Sequence, residues 1–342
     1  MTTASAFDVL SCIKPTGEIH IGNYFGAIRN WVEMQDRFRC LFGVVDLHAM
    51  TMPYEPRDLR FQTDELFLDL LACGMDPSRS TLFVQSLVPE HLELTWILGT
   101  ITPVGEIRRQ TQFKERYDRQ KGEEANAPAV SAGLFTYPVL QAADILIYRA
   151  RIVPVGEDQA QHLELTRRLA QRFNQRFGEY FPIPEASLTS TPRIRSLAAP
   201  EKKMGKSLGE KHYIGLFEEP DRIRQKIRQA VTDSGPNDEH GLSEGVKNLF
   251  QILEGCGALE AHRSLQDDLA AGVLLYADLK EAVAEALLEL TGVLRQRRQE
   301  LLSDRGLIND TIREMSLKAR LAAKETLYEV REMAGIKSIS YF

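Results

Sequence analysis

Cysteine is scarce in this chain. Cys12, Cys40, Cys73 and Cys256 are the only four, they lie far apart, and none forms a C-x-x-C pair. That spacing argues against a disulfide framework, a zinc site and an iron–sulfur cluster, and it fits a reducing compartment, the cytoplasm. Long apolar runs are missing too. The most apolar stretches, 66–75 and 273–279, fall well short of the ~18 residues that a membrane-spanning helix requires. The first eight residues carry neither a basic segment nor an apolar or Arg-rich amphipathic one, so no targeting peptide is expected. Nor is there a large excess of one charge: 42 Lys+Arg stand against 48 Asp+Glu, a net −6. A uniformly basic nucleic-acid binder is thereby excluded. With 43% hydrophobic residues the chain is also not a disordered one. No repeat or low-complexity tract appears.

What remains is ordinary globular composition over 342 residues, enough for about two domains. The first half alternates β-like runs with helical patterns. Strands are expected at 7–13, 40–45, 80–85 and 151–155, the second of them a continuous apolar run of the kind buried on both faces. Between them lie helical patterns through Ala27, Ile28, Trp31 and Met34, through Leu66, Leu70 and Leu71, and over 158–176. Such alternation implies βαβ units and a parallel sheet, with functional loops at the carboxyl ends of the strands. Residues 105–132, rich in Arg, Lys and Gln, read as an insertion. After Ser207 the pattern becomes helical. One helix is marked by Leu216, Ile223, Ile227 and Val231, a second by Val283, Leu287, Leu290 and Leu294, and a third by Ile312, Met315, Ala319, Ala322, Val330 and Met333. The expected architecture is an α/β, Rossmann-like parallel-sheet domain over 1–210, then a smaller all-helical domain over 211–342, with 232–245 as a loop between helices.

Two segments carry phosphate chemistry. Pro15-Thr-Gly-Glu-Ile-His-Ile-Gly-Asn23 follows the first strand and opens a helix, whose free N–H groups and positive potential suit an anion. Gly22 permits close approach to the backbone, and His20 and Asn23 can donate to phosphate oxygens. Lys202-Lys-Met-Gly-Lys-Ser207 is a basic loop whose lysines, Lys203 and Lys206, can clamp a polyphosphate. Taken singly, an incidental histidine at a helix start and a solvated charged loop describe these residues equally well.

Together, H-I-G-N and K-M-G-K-S, about 180 residues apart and followed by helices, resemble the class I aminoacyl-tRNA synthetases. Their signatures are His-Ile-Gly-His and Lys-Met-Ser-Lys-Ser. The small members with this spacing serve tyrosine and tryptophan. Leu134-Phe-Thr-Tyr-Pro-Val-Leu-Gln-Ala-Ala-Asp-Ile-Leu-Ile-Tyr148 and Val153-Pro-Val-Gly-Glu-Asp-Gln159 resemble the bacterial tryptophanyl branch, and the likeness runs from residue 8 to about 335.

The resemblance implies an ATP-dependent ligase for L-tryptophan and tRNA(Trp), using Mg²⁺ bound on the phosphates and no dedicated protein metal site. It implies that Asp144 reads the indole N–H, which as a donor-only group needs an acceptor when buried. Tyr137 and Gln159 match the residues holding the α-ammonium group, with Leu10, His48, Gln141, Val153 and Val155 around the side chain. Lys14, Thr16, Gly22, Asn23, Gly156, Asp158, Ile194, Met204 and Ser207 match nucleotide contacts beside Lys203 and Lys206. Asp158 could equally cap the following helix. Lys114 and Arg116, in the insertion, match basic residues that reach the ATP phosphates. Catalysis would rest on His20, Asn23, Lys114, Lys203 and Lys206.

The resemblance further implies a homodimer formed through the sheet domains, with one tRNA spanning both subunits. Some relatives carry a four-cysteine cluster near the anticodon-binding region; only Cys256 falls there. Gly205 replaces the usual Ser, Lys14 a frequent Gln, and Gln141 a frequent Met. These departures leave open a non-ligating tryptophan-binding paralogue, and a tyrosyl enzyme shares the fold and reaction. Basic clusters at Arg222, Arg224, Lys226 and Arg228, at Arg295, Arg297 and Arg298, and at Lys318, Arg320 and Lys324 could form stripes for tRNA, unless nearby acids balance them.

Overall fold

Neighbouring residues of each central strand enter opposite apolar layers. Val9, Phe42, Leu82 and Val84 join one core, whereas Leu10, Leu41, Phe83 and Val153 join the other. The computed structural model describes residues 7–110, 131–154, 156, 159–187, 193–232 and 242–337. Its strands are β1 (Val9–Ile13), β2 (Cys40–Val44), β3 (Thr81–Val84), β4 (Ile152–Pro154) and β5 (Glu185–Ser187). They form one parallel sheet in the order β3-β2-β1-β4-β5. Every residue of β2 is buried, as its unbroken apolar run requires. Gly43, the fourth of its five residues, has a steric reason: a Cβ there would lie 2.9 Å from both the Cys12 sulfur and the Phe83 ring.

Helix α1 (Ile21–Asn23) continues through a π-helical stretch, Tyr24–Ile28, into α2 (Arg29–Met34). Next come α3 (Asp46–Ala49), α4 (Pro56–Ala72), α5 (Glu90–Gly99) and α6 (Val104–Arg108). Then α7 (Ala132–Leu146) is capped by Ser131, whose hydroxyl accepts from the Leu134 N–H, and α8 (Ala160–Phe177) follows β4. The chain switches direction across the sheet between β1 and β4, and doubly wound folds open their ligand crevice at such a point.

The helical part comprises α9 (Pro220–Gln229), α10 (Glu244–Gly255), α11 (Leu259–Ala270), α12 (Tyr276–Leu302) and α13 (Arg305–Ala334). It is not a separate core. One apolar cluster runs from Val9 through Ile214 and Leu253 to Ile312. On the opposite face, Ala319, Ala323, Leu327 and Val330 of α13 pack into the core of the second layer, and Ser316 accepts from the Val84 N–H at 3.1 Å.

Three expectations need adjusting. Leu216 and Val231 lie outside α9, because Pro220 occupies its first turn and the chain turns away after Gln229. The loop after residue 232 ends sooner than expected, since Ser243 caps α10 and places Gly245 inside the helix. Half of the residues in the basic clusters are paired with acids. Arg222 meets Glu210 and Glu218, Arg224 meets Glu281 and Glu285, Lys226 meets Glu218, Arg298 meets Asp69 and Glu65, and Arg320 meets Glu90. Among the described residues, no helix is long and apolar enough to cross a membrane.

Candidate active site

A cavity of about 330 Å³ opens at the carboxyl ends of β1 and β4, within the size range of small-molecule sites. Residues 10–14 of β1 and its exit form one wall, with Val153, Pro154, Gly156 and Gln159 opposite. Helix α7 presents Tyr137, Gln141 and Asp144 to it, at the i, i+4 and i+7 positions of one stripe. His48, from α3, closes the inner end. Leu10, Lys14, His48, Tyr137, Gln141, Asp144, Val153, Gly156 and Gln159 therefore meet in one place, as the sequence suggested. Val155, Asp158, Lys114 and Arg116 lie outside the described residues.

Asp144 is only 2% exposed. Its Oδ1 accepts from the Gln85 amide at 2.8 Å and stands 2.5 Å from His91 Nδ1, while its Oδ2 stands 2.7 Å from His48 Nε2. Burial alone would raise its pKa, but the electrostatic attraction and hydrogen bond of His48, then the hydrogen bond of His91, hold the carboxyl well below its usual range. On the far side, His91 Nε2 lies 2.8 Å from the Tyr148 hydroxyl. Burial keeps that phenol protonated, so it can donate to Nε2 and leave Nδ1–H for Asp144. A carboxylate offers about four lone-pair sites. Three are occupied here, and the remaining one, on Oδ2, is an acceptor for a donor entering the cavity.

Gln85 and His91 were not singled out in the sequence. They come from the end of β3 and the start of α5 and share no spacing with α7. His162 was also missed; its Nε2 lies 2.6 Å from the Tyr137 hydroxyl and orients it at the cavity wall. Gln141 donates to Gln159 at 3.3 Å, so these two residues fix each other.

The phosphate side is built on the turn after β1. The Asn23 N–H donates to His20 Nδ1 at 3.3 Å, and the His20 N–H donates to Asn23 Oδ1 at 3.2 Å, a reciprocal helix cap. The cap leaves the proton on His20 Nε2 and leaves the Asn23 amide hydrogens for a ligand. Burial first, then Lys206 and Lys203, push the His20 pKa down to about 4, so the ring is a neutral donor at pH 7. Gly22 also makes room within the protein itself. A Cβ there would stand 3.0 Å from the His20 ring and 3.4 Å from Met204, so its bareness seats the histidine.

The Met204 N–H donates to the Ile194 carbonyl at 3.1 Å. Both side chains are buried, so this contact fastens the basic loop to the body of the protein. Lys203 and Ser207 are exposed. Lys206 Nζ donates to the carbonyls of Thr16 and Glu18, each at 2.8 Å. Gly205 is extended, with φ −172°, and a Cβ would meet only the Lys203 carbonyl at 4.0 Å. A serine would fit there unstrained.

A helix start with free N–H groups, a basic loop packed on it and a cavity at the switch point of a parallel sheet define an α/β protein of the doubly wound, nucleotide-binding type. Residues 2–291 match the family model described as tRNA synthetases class I (W and Y), and the chain belongs to that family. It is 42% identical to the tryptophan–tRNA ligase of Clostridium acetobutylicum over 330 residues, 96% of each chain. It is 44% identical to that of Caldanaerobacter subterraneus subsp. tengcongensis over 332 residues, 96% of this chain and 98% of the relative. The tryptophanyl-tRNA synthetase of Campylobacter jejuni, solved complexed with ADP and tryptophan, superposes with a TM-score of 0.82 at 32% identity, covering 96% of this chain and 100% of that one.

Proposed function

We propose that this chain activates L-tryptophan with ATP and transfers it to tRNA(Trp). The observation that carries the reading is the buried Asp144 carboxylate, held as an anion, which lines a cavity of amino-acid size and takes three donors on its two oxygens. An indole N–H fills the remaining acceptor site. Smaller side chains without a donor leave that last acceptor site buried and unfilled, which supplies selectivity without an editing domain. Tyr137 and Gln159 lie where they can hold the α-ammonium group.

In the first step the tryptophan carboxylate oxygen attacks the α-phosphorus of ATP in line. The α–β phosphoanhydride bond breaks, and pyrophosphate departs from tryptophanyl-AMP. The substrate is its own nucleophile, so the protein's work is positioning and charge stabilisation. Neutral His20, through Nε2–H, and Asn23, through its amide, donate to phosphate oxygens, while Lys203, Lys206 and the insertion's Lys114 neutralise the leaving pyrophosphate. Lys14, Thr16, Gly156, Asp158 and Ser207 complete the nucleotide contacts. Mg²⁺ travels on the ATP phosphates, because the protein groups facing them are cationic and repel a metal ion. In the second step a terminal ribose hydroxyl of the tRNA attacks the adenylate carbonyl, and AMP leaves.

The helical part, 211–342, takes the anticodon arm. Arg228, Lys318 and Lys324 support this, as they have no acidic partner among the described residues. The active unit is a homodimer joined through the sheet layers, where Trp96 is 77% exposed beside exposed Leu92. The place of work is the cytoplasm, consistent with four free thiols. Pyrophosphate exchange into ATP, run with each of the twenty amino acids, tests the reading. Exchange with tryptophan alone is expected; exchange with tyrosine, or with none, would overturn it.

A further inference from the structure

The chain that follows the K-M-G-K-S loop is sewn onto the H-I-G-N turn. The Ile21 N–H donates to the Ile214 carbonyl at 3.0 Å, and the Leu216 N–H donates to the Ile19 carbonyl at 2.8 Å. His20 and Gly215 therefore stand opposite each other in an antiparallel bridge. A Cβ at Gly215 would lie 2.8 Å from a Glu18 carboxylate oxygen, so this position has room only for glycine unless Glu18 moves. Beside the ladder, the Tyr213 hydroxyl donates to Glu18 Oε1 at 2.8 Å. The Lys226 ammonium sits 4.8 Å from the Tyr213 ring centroid and pairs with Glu218 at 2.7 Å. Glu18 touches this strap with its side chain, and its backbone carbonyl holds Lys206.

We propose that the Glu18–Tyr213 hydrogen bond positions Lys206 for the transition state, although neither residue is placed against substrate. The inference rests on the ATP-activating reading above. A lysine side chain has four rotatable bonds, and its ammonium reaches a phosphate usefully only if its backbone starts from a fixed place. The basic loop is anchored before Lys206 by Met204 on Ile194, and after it by residues 213–216 on the first signature. Gly209, at φ +105°, lets the chain turn between Lys206 and the second anchor. Among the described residues, the Glu18–Tyr213 hydrogen bond joins that anchor by side chains to the turn on which Lys206 rests, beside a looser contact of the Tyr213 and His20 rings at 6.0 Å. Loosening it leaves the tryptophan cavity untouched and lets the lysine wander.

The test compares Tyr213→Phe, Glu18→Ala, Glu18→Gln and the Glu18→Ala/Tyr213→Phe pair in pyrophosphate exchange. Tyr213→Phe and Glu18→Ala each lower kcat about fivefold to tenfold, less than a buried hydrogen bond to a carboxylate is worth because this contact is exposed, with the KM for tryptophan unchanged. Glu18→Gln keeps an acceptor and recovers most of the loss. The double variant is no slower than either single one, since both remove the same contact. An undiminished kcat in Tyr213→Phe, additive losses in the pair, or a matching rise in the tryptophan KM would each overturn the strap while leaving the ligase reading intact. Unaltered protein that activates no amino acid would overturn both.

Discussion

Replacing Asp144 by Ala separates recognition of the amino acid from recognition of the nucleotide. The carboxylate is 2% exposed and already takes Gln85, His91 and His48, so its orientation does not depend on the ligand. Removing it deletes a hydrogen bond from the indole N–H to a charged acceptor, about 1.5–3 kcal/mol. At ~1.4 kcal/mol per decade, the KM for tryptophan should rise about 10- to 100-fold. The ATP site shares no partner with Asp144, so its KM should stay within about twofold. Three donors lose their acceptor, and folding stability drops as well, by about 1–3 kcal/mol for each donor that water fails to reach. The decisive readout is therefore the ratio of kcat/KM for tryptophan over tyrosine, which compares ligands in the same folded molecules. A tryptophan KM within twofold of the unaltered protein, or an equal rise for ATP, would refute the assignment.

Other consequences follow from the same geometry. Lys206→Ala should slow pyrophosphate exchange by about a hundredfold, typical for loss of one preorganised charge donor, with an unaltered tryptophan KM; an unchanged rate would take Lys206 out of the clamp. His20 is held neutral down to about pH 4, whereas an unfolded imidazole takes its proton near pH ~6.5. Its contribution to stability is therefore complete above pH ~6.5 and is lost as the pH falls toward 4, by up to about 3 kcal/mol. Urea unfolding at pH 7, 5.5 and 4.5 should show this slope in the unaltered protein and less of it in His20→Asn; parallel curves would contradict the neutral donor. Trp96→Asp puts a charge on the exposed apolar face of the sheet domain and should yield monomers by light scattering. An unchanged mass would move the dimer interface elsewhere.

Much of this arrangement is legible in the sequence because it rests on local pattern. Buried strands read as apolar runs, and Tyr137, Gln141 and Asp144 share a face through helical periodicity. β5 escaped notice because Glu185-Ala-Ser187 is short, polar and largely exposed at the sheet edge. Gln85 and His91 escaped for a different reason. Their partner is 53 or more residues away in sequence, and only the packing of β3 and α5 against α7 brings them to it. Which members of the basic clusters are cancelled is hidden by the same blindness to distance. Arg298, for example, is matched by Glu65 and Asp69 of α4, so charges that look like a stripe along one helix are cancelled from another. Gly22 shows the remaining gap: the room its bareness leaves for the His20 ring comes from how the turn folds, which the sequence pattern does not display.

Charging of a tRNA(Trp) transcript by the purified chain, with ATP, Mg²⁺ and labelled tryptophan or tyrosine, is the most direct measurement of the central claim. Base-labile label should accumulate on the tRNA with tryptophan and not with tyrosine. Label from tyrosine, or exchange activity without any charged tRNA, would contradict the account.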